Sequence, residues 1–136
     1  MRDQVKLRTL GLVFILLGLI GCASLQKAEP IDIYQRTQSY KNVSFDDVWS
    51  AVLRSVEEVE FVVRNAAKEV GLIKAVAKVN PDPGHLPPVM NIVIREENGR
   101  VEVNFHIERP GQRDDSGKRR AYADRFFRAL KQNLKN

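Results

Sequence analysis

The chain has 136 residues, one cysteine and a formal net charge of +5. That length carries one domain with one modest core, and a single cysteine excludes an intrachain disulfide. The charge falls well short of the dense Lys/Arg clustering of nucleic-acid binders, so no nucleic-acid partner is expected.

The chain opens on Arg2, Lys6 and Arg8, and residues 10–20 (LGLVFILLGLI) then hold only apolar side chains and glycine. A basic start followed by an apolar run of about 11 residues has the form of a secretory signal peptide. It is too short for a permanent span, which needs about 20 apolar residues. The run ends in Leu19-Ile20-Gly21-Cys22, which resembles a bacterial lipobox. The resemblance implies that the Cys22 thiol takes a diacylglyceryl group and that the signal peptide, residues 1–21, is cut before it. It also implies that the new amino group is acylated with a fatty acid such as palmitate. The residues suit that chemistry, since a thiol is the alkylated nucleophile and the small Gly21 leaves the scissile bond accessible. An ordinary signal peptide with an accidental cysteine is the alternative. Stable anchoring needs two or more acyl chains, at about 0.8 kcal/mol per buried methylene. Ala23 and Ser24 follow the cysteine, where an aspartate would be associated with inner-membrane retention. The resemblance therefore implies a lipid anchor in the outer membrane, facing the periplasm.

Residues 22–36 lack periodicity, contain Pro30 and read as a lipidated tether of about 20 Å as a coil. Residues 37–136 read as a single domain. A first strand is expected over 37–43. Ser44-Phe45-Asp46-Asp47 offers an N-cap hydroxyl and first-turn acids, and Val48, Val52, Val56 and Val59 recur at helical spacing behind it. Trp49 on that helix is either a core anchor or a stacking platform for a ligand. Residues 61–65 and 72–78 read as strands around a turn at Val70-Gly71. The proline-rich stretch 80–88 (NPDPGHLPP) is a loop, either connector or binding loop. Strands over 89–95 and 100–108 flank Asn98-Gly99, a strong hairpin signal because both residues tolerate positive φ. Val101, Val103, Phe105 and Ile107 alternate with Glu102, Asn104 and His106, so one face is expected to pack and the other to meet water. A polar loop over 109–117 leads to a last helix over 118–134, with Ala123, Phe126, Phe127, Leu130 and Leu134 on one side.

Strand, helix, four strands, helix gives a two-layer α+β domain, an antiparallel sheet of four to five strands with two helices packed on one face. This pattern is similar to the helix-grip domains of BamC-type lipoproteins, with Val48-Trp49 and Gly71-Leu72-Ile73 as the nearest motifs. Those relatives are accessory parts of the machine that inserts outer-membrane β-barrels. They carry two such domains and a long N-terminal recognition segment, whereas this chain shows one domain and a short tether.

Two histidines, His85 and His106, cannot make a zinc site alone, since zinc takes three or four protein ligands, and Cys22 is assigned to lipid. No metal or cofactor is expected. The paired acids Glu57-Glu58, Glu96-Glu97 and Asp114-Asp115 are sequence neighbours on helix or loop surfaces, a poor arrangement for acid–base work. Nucleophile elbows, phosphate-binding glycine loops and metalloprotease motifs are missing. The expectation is therefore not an enzyme. One charged feature has geometry: Arg120, Arg125, Arg128, Lys131 and Lys135 fall on one arc of the last helix. It is a solvated surface or a patch for anionic headgroups, a glycan-linked anion or an acidic protein. The chain reads as a non-enzymatic envelope lipoprotein, a protein-interaction or assembly-accessory module with an envelope protein partner. The alternative is a periplasmic module that holds a lipid or small ligand in an apolar cavity of at least about 300 Å³.

Overall fold

The alternation of apolar side chains in the last two strands decides the architecture, because it leaves one sheet face needing cover. The computed structural model describes residues 33–80, 84, 86–108 and 116–135. The lipobox-like Leu19 to Cys22, most of the tether, Asp114-Asp115 and the loop histidine His85 lie outside the described residues. In chain order the elements are β1 (Ile33–Lys41), α1 (Phe45–Glu58), β2 (Phe61–Ala67), a 3₁₀ turn (Lys68–Val70), β3 (Leu72–Ala77), β4 (Val89–Glu97), β5 (Arg100–Glu108) and α2 (Ser116–Asn133).

The five strands form one antiparallel sheet in the order β1-β5-β4-β3-β2. α1 carries the chain from the β1 edge to the β2 edge. A meander of three hairpins then brings it back, so that β5 closes against β1. Both helices cover the same sheet face, α1 over β2 and β4 and α2 over β1 and β5, and they pack on each other. The domain is the α+β, helix-grip-like arrangement that the order of elements implies.

Local chemistry accounts for the element ends. The Ser44 hydroxyl accepts from the Asp47 amide at 3.1 Å, and Asp46 and Asp47 occupy the first turn of α1. Asn98 and Gly99 both take positive φ, 54° and 70°, and close the β4–β5 hairpin, the geometry that a two-residue turn between right-twisted strands requires. Gly71 is also left-handed at φ 66°, ending the 3₁₀ turn. A Cβ there would run into the backbone carbonyl of Ile94.

The layer between helices and sheet is filled. Val48, Val52 and Val56 from α1 meet Ile73, Met90, Ile92, Val103, Phe105 and Ile107 from the sheet, with Phe126 and Leu130 from α2, all fully buried. Phe105 packs its ring against Phe126 and Phe127, centroids 5.1 and 5.8 Å apart.

Three expectations need correction. β1 begins at Ile33, not Thr37. α2 begins at Ser116 rather than Lys118. Glu102, Asn104 and His106 do point away from the helices, but they are half-buried rather than open to water. The cause is lateral. β5 is a central strand, so each of these residues lies between a β1 and a β4 partner on the same face. Gln35 and Thr37 donate to the Asn104 side-chain oxygen at 2.9 and 3.0 Å, and Ser39 to Glu102 at 3.2 Å.

Candidate interaction surface

Trp49 belongs to the core. It is 7% exposed and stacks on Phe45 with ring centroids 6.1 Å apart, which leaves no face for a ligand. His106 lies on the outer sheet face, its Nε2 buried, without a hydrogen-bond partner among the described residues, and 3.9 Å from a Glu108 oxygen. Among the described residues no three His, Cys, Asp or Glu side chains converge on a metal position. None of their helices is long and apolar enough to cross a membrane.

Open grooves mark the surface of the described residues. One of about 480 Å³ is lined by Asn42, Val43, Asp47, Ser50, Arg54 and Asn133 among others, where the start of α1 meets the end of α2. Its wall is tied together. Arg54 donates to the Asn133 carbonyl at 3.2 Å, while the Asn133 amide donates to Ser55 Oγ at 3.1 Å and Glu58 Oε1 at 3.0 Å. These bonds join the two helices, and the arginine satisfies a carbonyl at the end of α2 that has no intrahelical partner. The second groove, about 380 Å³, runs along the 3₁₀ turn and the end of β4, beside Val70, which is 67% exposed.

The five basic residues of the arc expected on the last helix do not stand on one flank. Arg120, Arg125, Arg128, Lys131 and Lys135 are all exposed, and Lys135 lies beyond the end of α2. Arg125 turns to one flank, its guanidinium 4.9 Å from the Tyr122 ring centre, and Tyr122 in turn meets Phe61 of β2 edge-on. The other flank is fixed by Asp124, which accepts from Arg36 of β1 at 2.7 Å. At about 100° per residue, Arg120, Arg128 and Lys131 lie within about 40° of Asp124. They share the side of α2 that carries Asp124, the partner of Arg36 in β1.

Sequence reasoning missed Arg36. It sits on the helix-facing side of β1, opposite Phe105, with its guanidinium 5.0 Å from the Phe127 ring centre and a carboxylate as counter-ion. A lone arginine in the otherwise uncharged run IYQRTQSY was the available signal. Arg119 was missed too. It is 1% exposed, the largest fully buried side chain among the described residues, one residue outside the arc. The Tyr40 hydroxyl donates to Gln38 at 2.9 Å. Burial pushes its pKa up to about 12, partly opposed by the charge of Arg36.

No family model matches the chain, and no curated protein matches it either. Among solved structures, it is similar to TTHA0849 from Thermus thermophilus, at 9% identity and a TM-score of 0.45, covering 76% of this chain and 97% of that one. It is also similar to Ara h 8.0201, at 6% identity and a TM-score of 0.44, covering 77% and 100%.

Proposed function

We propose that the chain is a lipid-anchored, non-enzymatic interaction module of a bacterial envelope, held through Cys22 and facing the periplasm. Leu19-Ile20-Gly21-Cys22 after an apolar run supports the anchor. The observation that carries the interaction role is the filled layer between helices and sheet. Ile92, Phe105, Phe126 and Leu130 have no accessible area, whereas a void admitting a water-sized sphere would give its lining atoms some. A lipid or small ligand held inside would need at least about 300 Å³ in the space these side chains occupy. Recognition therefore falls to the surface, where basic side chains of α2 stand on the same side as the Asp124 that bonds the edge strand β1.

The test is affinity purification of the lipidated protein from chemically crosslinked envelopes, beside a Cys22→Ser control. The expected result is a discrete protein crosslink that depends on Cys22. Recovery of the protein with a bound lipid or metabolite in stoichiometric amount, and without a protein crosslink, would contradict the reading.

A further inference from the structure

The two edges of the sheet are built differently. β2, at one edge, carries a register shift between Val63 and Asn65 in its pairing with β3, and the exposed Arg64 stands at the break. A bulge and a charge are the usual means of blunting an edge against further pairing. β1, at the other edge, pairs with β5 in unbroken register from Ile33↔Glu108 to Lys41↔Arg100. It contains no proline, and its side chains on the face away from the helices are Ile33, Gln35, Thr37, Ser39 and Lys41, so the one charge on that face stands at the last position. Among the described residues it has β5 on one side and no strand on the other. Such an edge exposes a row of amides and carbonyls that a further extended chain can use.

The charge beside that edge selects the chain. β1 has two basic residues, Arg36 and Lys41, and no acid. On the helix side, Arg120, Arg128 and Lys131 lie on the same side of α2 as Asp124, the one acid in that stripe, which is bonded to Arg36 of β1. The β5 residues on this side, Val101, Val103, Phe105 and Ile107, carry no charge, while Glu102 and Glu108 point to the opposite face. A second copy of this chain would bring its own Arg120, Arg128 and Lys131 against the first set, so self-pairing is opposed by like charge. An incoming strand with acidic side chains at alternate positions, all on the helix side, meets that stripe with opposite charge.

We infer that the β1 edge is a strand-addition site for an extended acidic segment of a partner protein, with Arg120, Arg128 and Lys131 reading its carboxylates. The inference rests on the interaction role proposed above and names the surface that performs it. Backbone pairing supplies the contact, and the alternating charges fix which face of the incoming strand turns toward α2.

The test uses the purified full-length chain in detergent and a synthetic peptide alternating threonine with glutamate. Amide hydrogen exchange is the readout. The peptide in excess is expected to slow exchange of every second β1 amide by about tenfold or more, leaving β2 unchanged. A peptide alternating threonine with lysine is expected to give no protection. N-methylation of the peptide amides along one edge abolishes protection, and along the other edge leaves it, a control that requires no change to the protein. Arg128→Glu combined with Lys131→Glu is expected to weaken binding about tenfold, with a smaller difference at high salt. Equal protection by the lysine peptide, binding without β1 protection, or indifference to N-methylation on either edge overturns the inference. So does binding of phosphatidylglycerol vesicles through the same basic residues with no effect of the glutamate peptide on β1. A Cys22-dependent protein crosslink that maps to another face would leave the interaction role standing while removing this site.

Discussion

Replacing Gly71 by alanine separates two effects of glycine that usually come together. Gly71 and Gly99 both have left-handed backbone, at φ 66° and 70°. A Cβ at Gly99 meets nothing within 4 Å, whereas at Gly71 it runs into the carbonyl oxygen of Ile94 and comes within 3.1 Å of its carbonyl carbon. The left-handed conformation alone costs alanine about 1–2 kcal/mol. Reduced freedom of the unfolded chain returns about 0.4–1 kcal/mol of that. Gly99→Ala should therefore cost about 1 kcal/mol. At Gly71 the obstacle is backbone, which cannot rotate aside, so β4 has to move. That movement weakens the Ile94 amide bond to the Gly71 carbonyl, 2.8 Å long, worth about 1 kcal/mol. It also opens the packing of Ile94 and Ile73, 2% and 0% exposed. The sum for Gly71→Ala is about 3–5 kcal/mol, in the range of a buried large-to-small substitution. Urea unfolding followed by fluorescence of Trp49, the single tryptophan, measures both variants. Equal losses of about 1 kcal/mol in the two would refute the close approach of Gly71 to β4.

Three further expectations follow from particular contacts. Phe105→Ala removes the ring that touches Phe126 and Phe127 and should cost about 3–5 kcal/mol in the same assay; a loss below about 1 kcal/mol would mean the side chain is not at the centre of the core. Asn133→Ala removes the donor to Ser55 and Glu58 and should cost about 1–2 kcal/mol, with unchanged stability counting against the helix-to-helix tie. Absorbance of ionised phenol should resolve one tyrosine titrating at about 12, missing in Tyr40→Phe. Because the folded pKa lies above the ordinary tyrosine value of about 10, the unfolded chain loses that proton first. Stability from Tyr40 is therefore complete below about pH 10 and declines as pH rises toward 12.

Residues whose local chemistry has one outcome were legible in the sequence. Arg100–Glu108 is the expected strand to the residue, because strict alternation behind Asn98-Gly99 leaves a single register. Ser44 caps α1 for a similar reason, since a hydroxyl ahead of two acids has few other uses. β1 was read four residues short because its helix-facing positions are Tyr34, Arg36, Gln38 and Tyr40, which do not alternate as apolar against polar. Only the fold shows that Arg36 lies over Phe127 with Asp124 as its counter-ion. The half-burial of Glu102, Asn104 and His106 was hidden for a related reason. A strand's pattern states which way a side chain points, but not that polar neighbours from two other strands will stand beside it. The basic arc was found as five residues on a wheel. Its division, with Arg125 on the flank away from β1, depends on where α2 sits against the sheet.

The anchor is the central claim, since it places the whole domain. Mass spectrometry of the chain recovered from the membrane fraction tests it most directly, with labelled palmitate supplied to the cells. A mature protein beginning at Cys22 and carrying diacylglycerol is expected, with Cys22→Ser uncut and unlabelled. A mature wild-type chain that begins elsewhere, or a Cys22→Ser variant that still takes up palmitate, would contradict it.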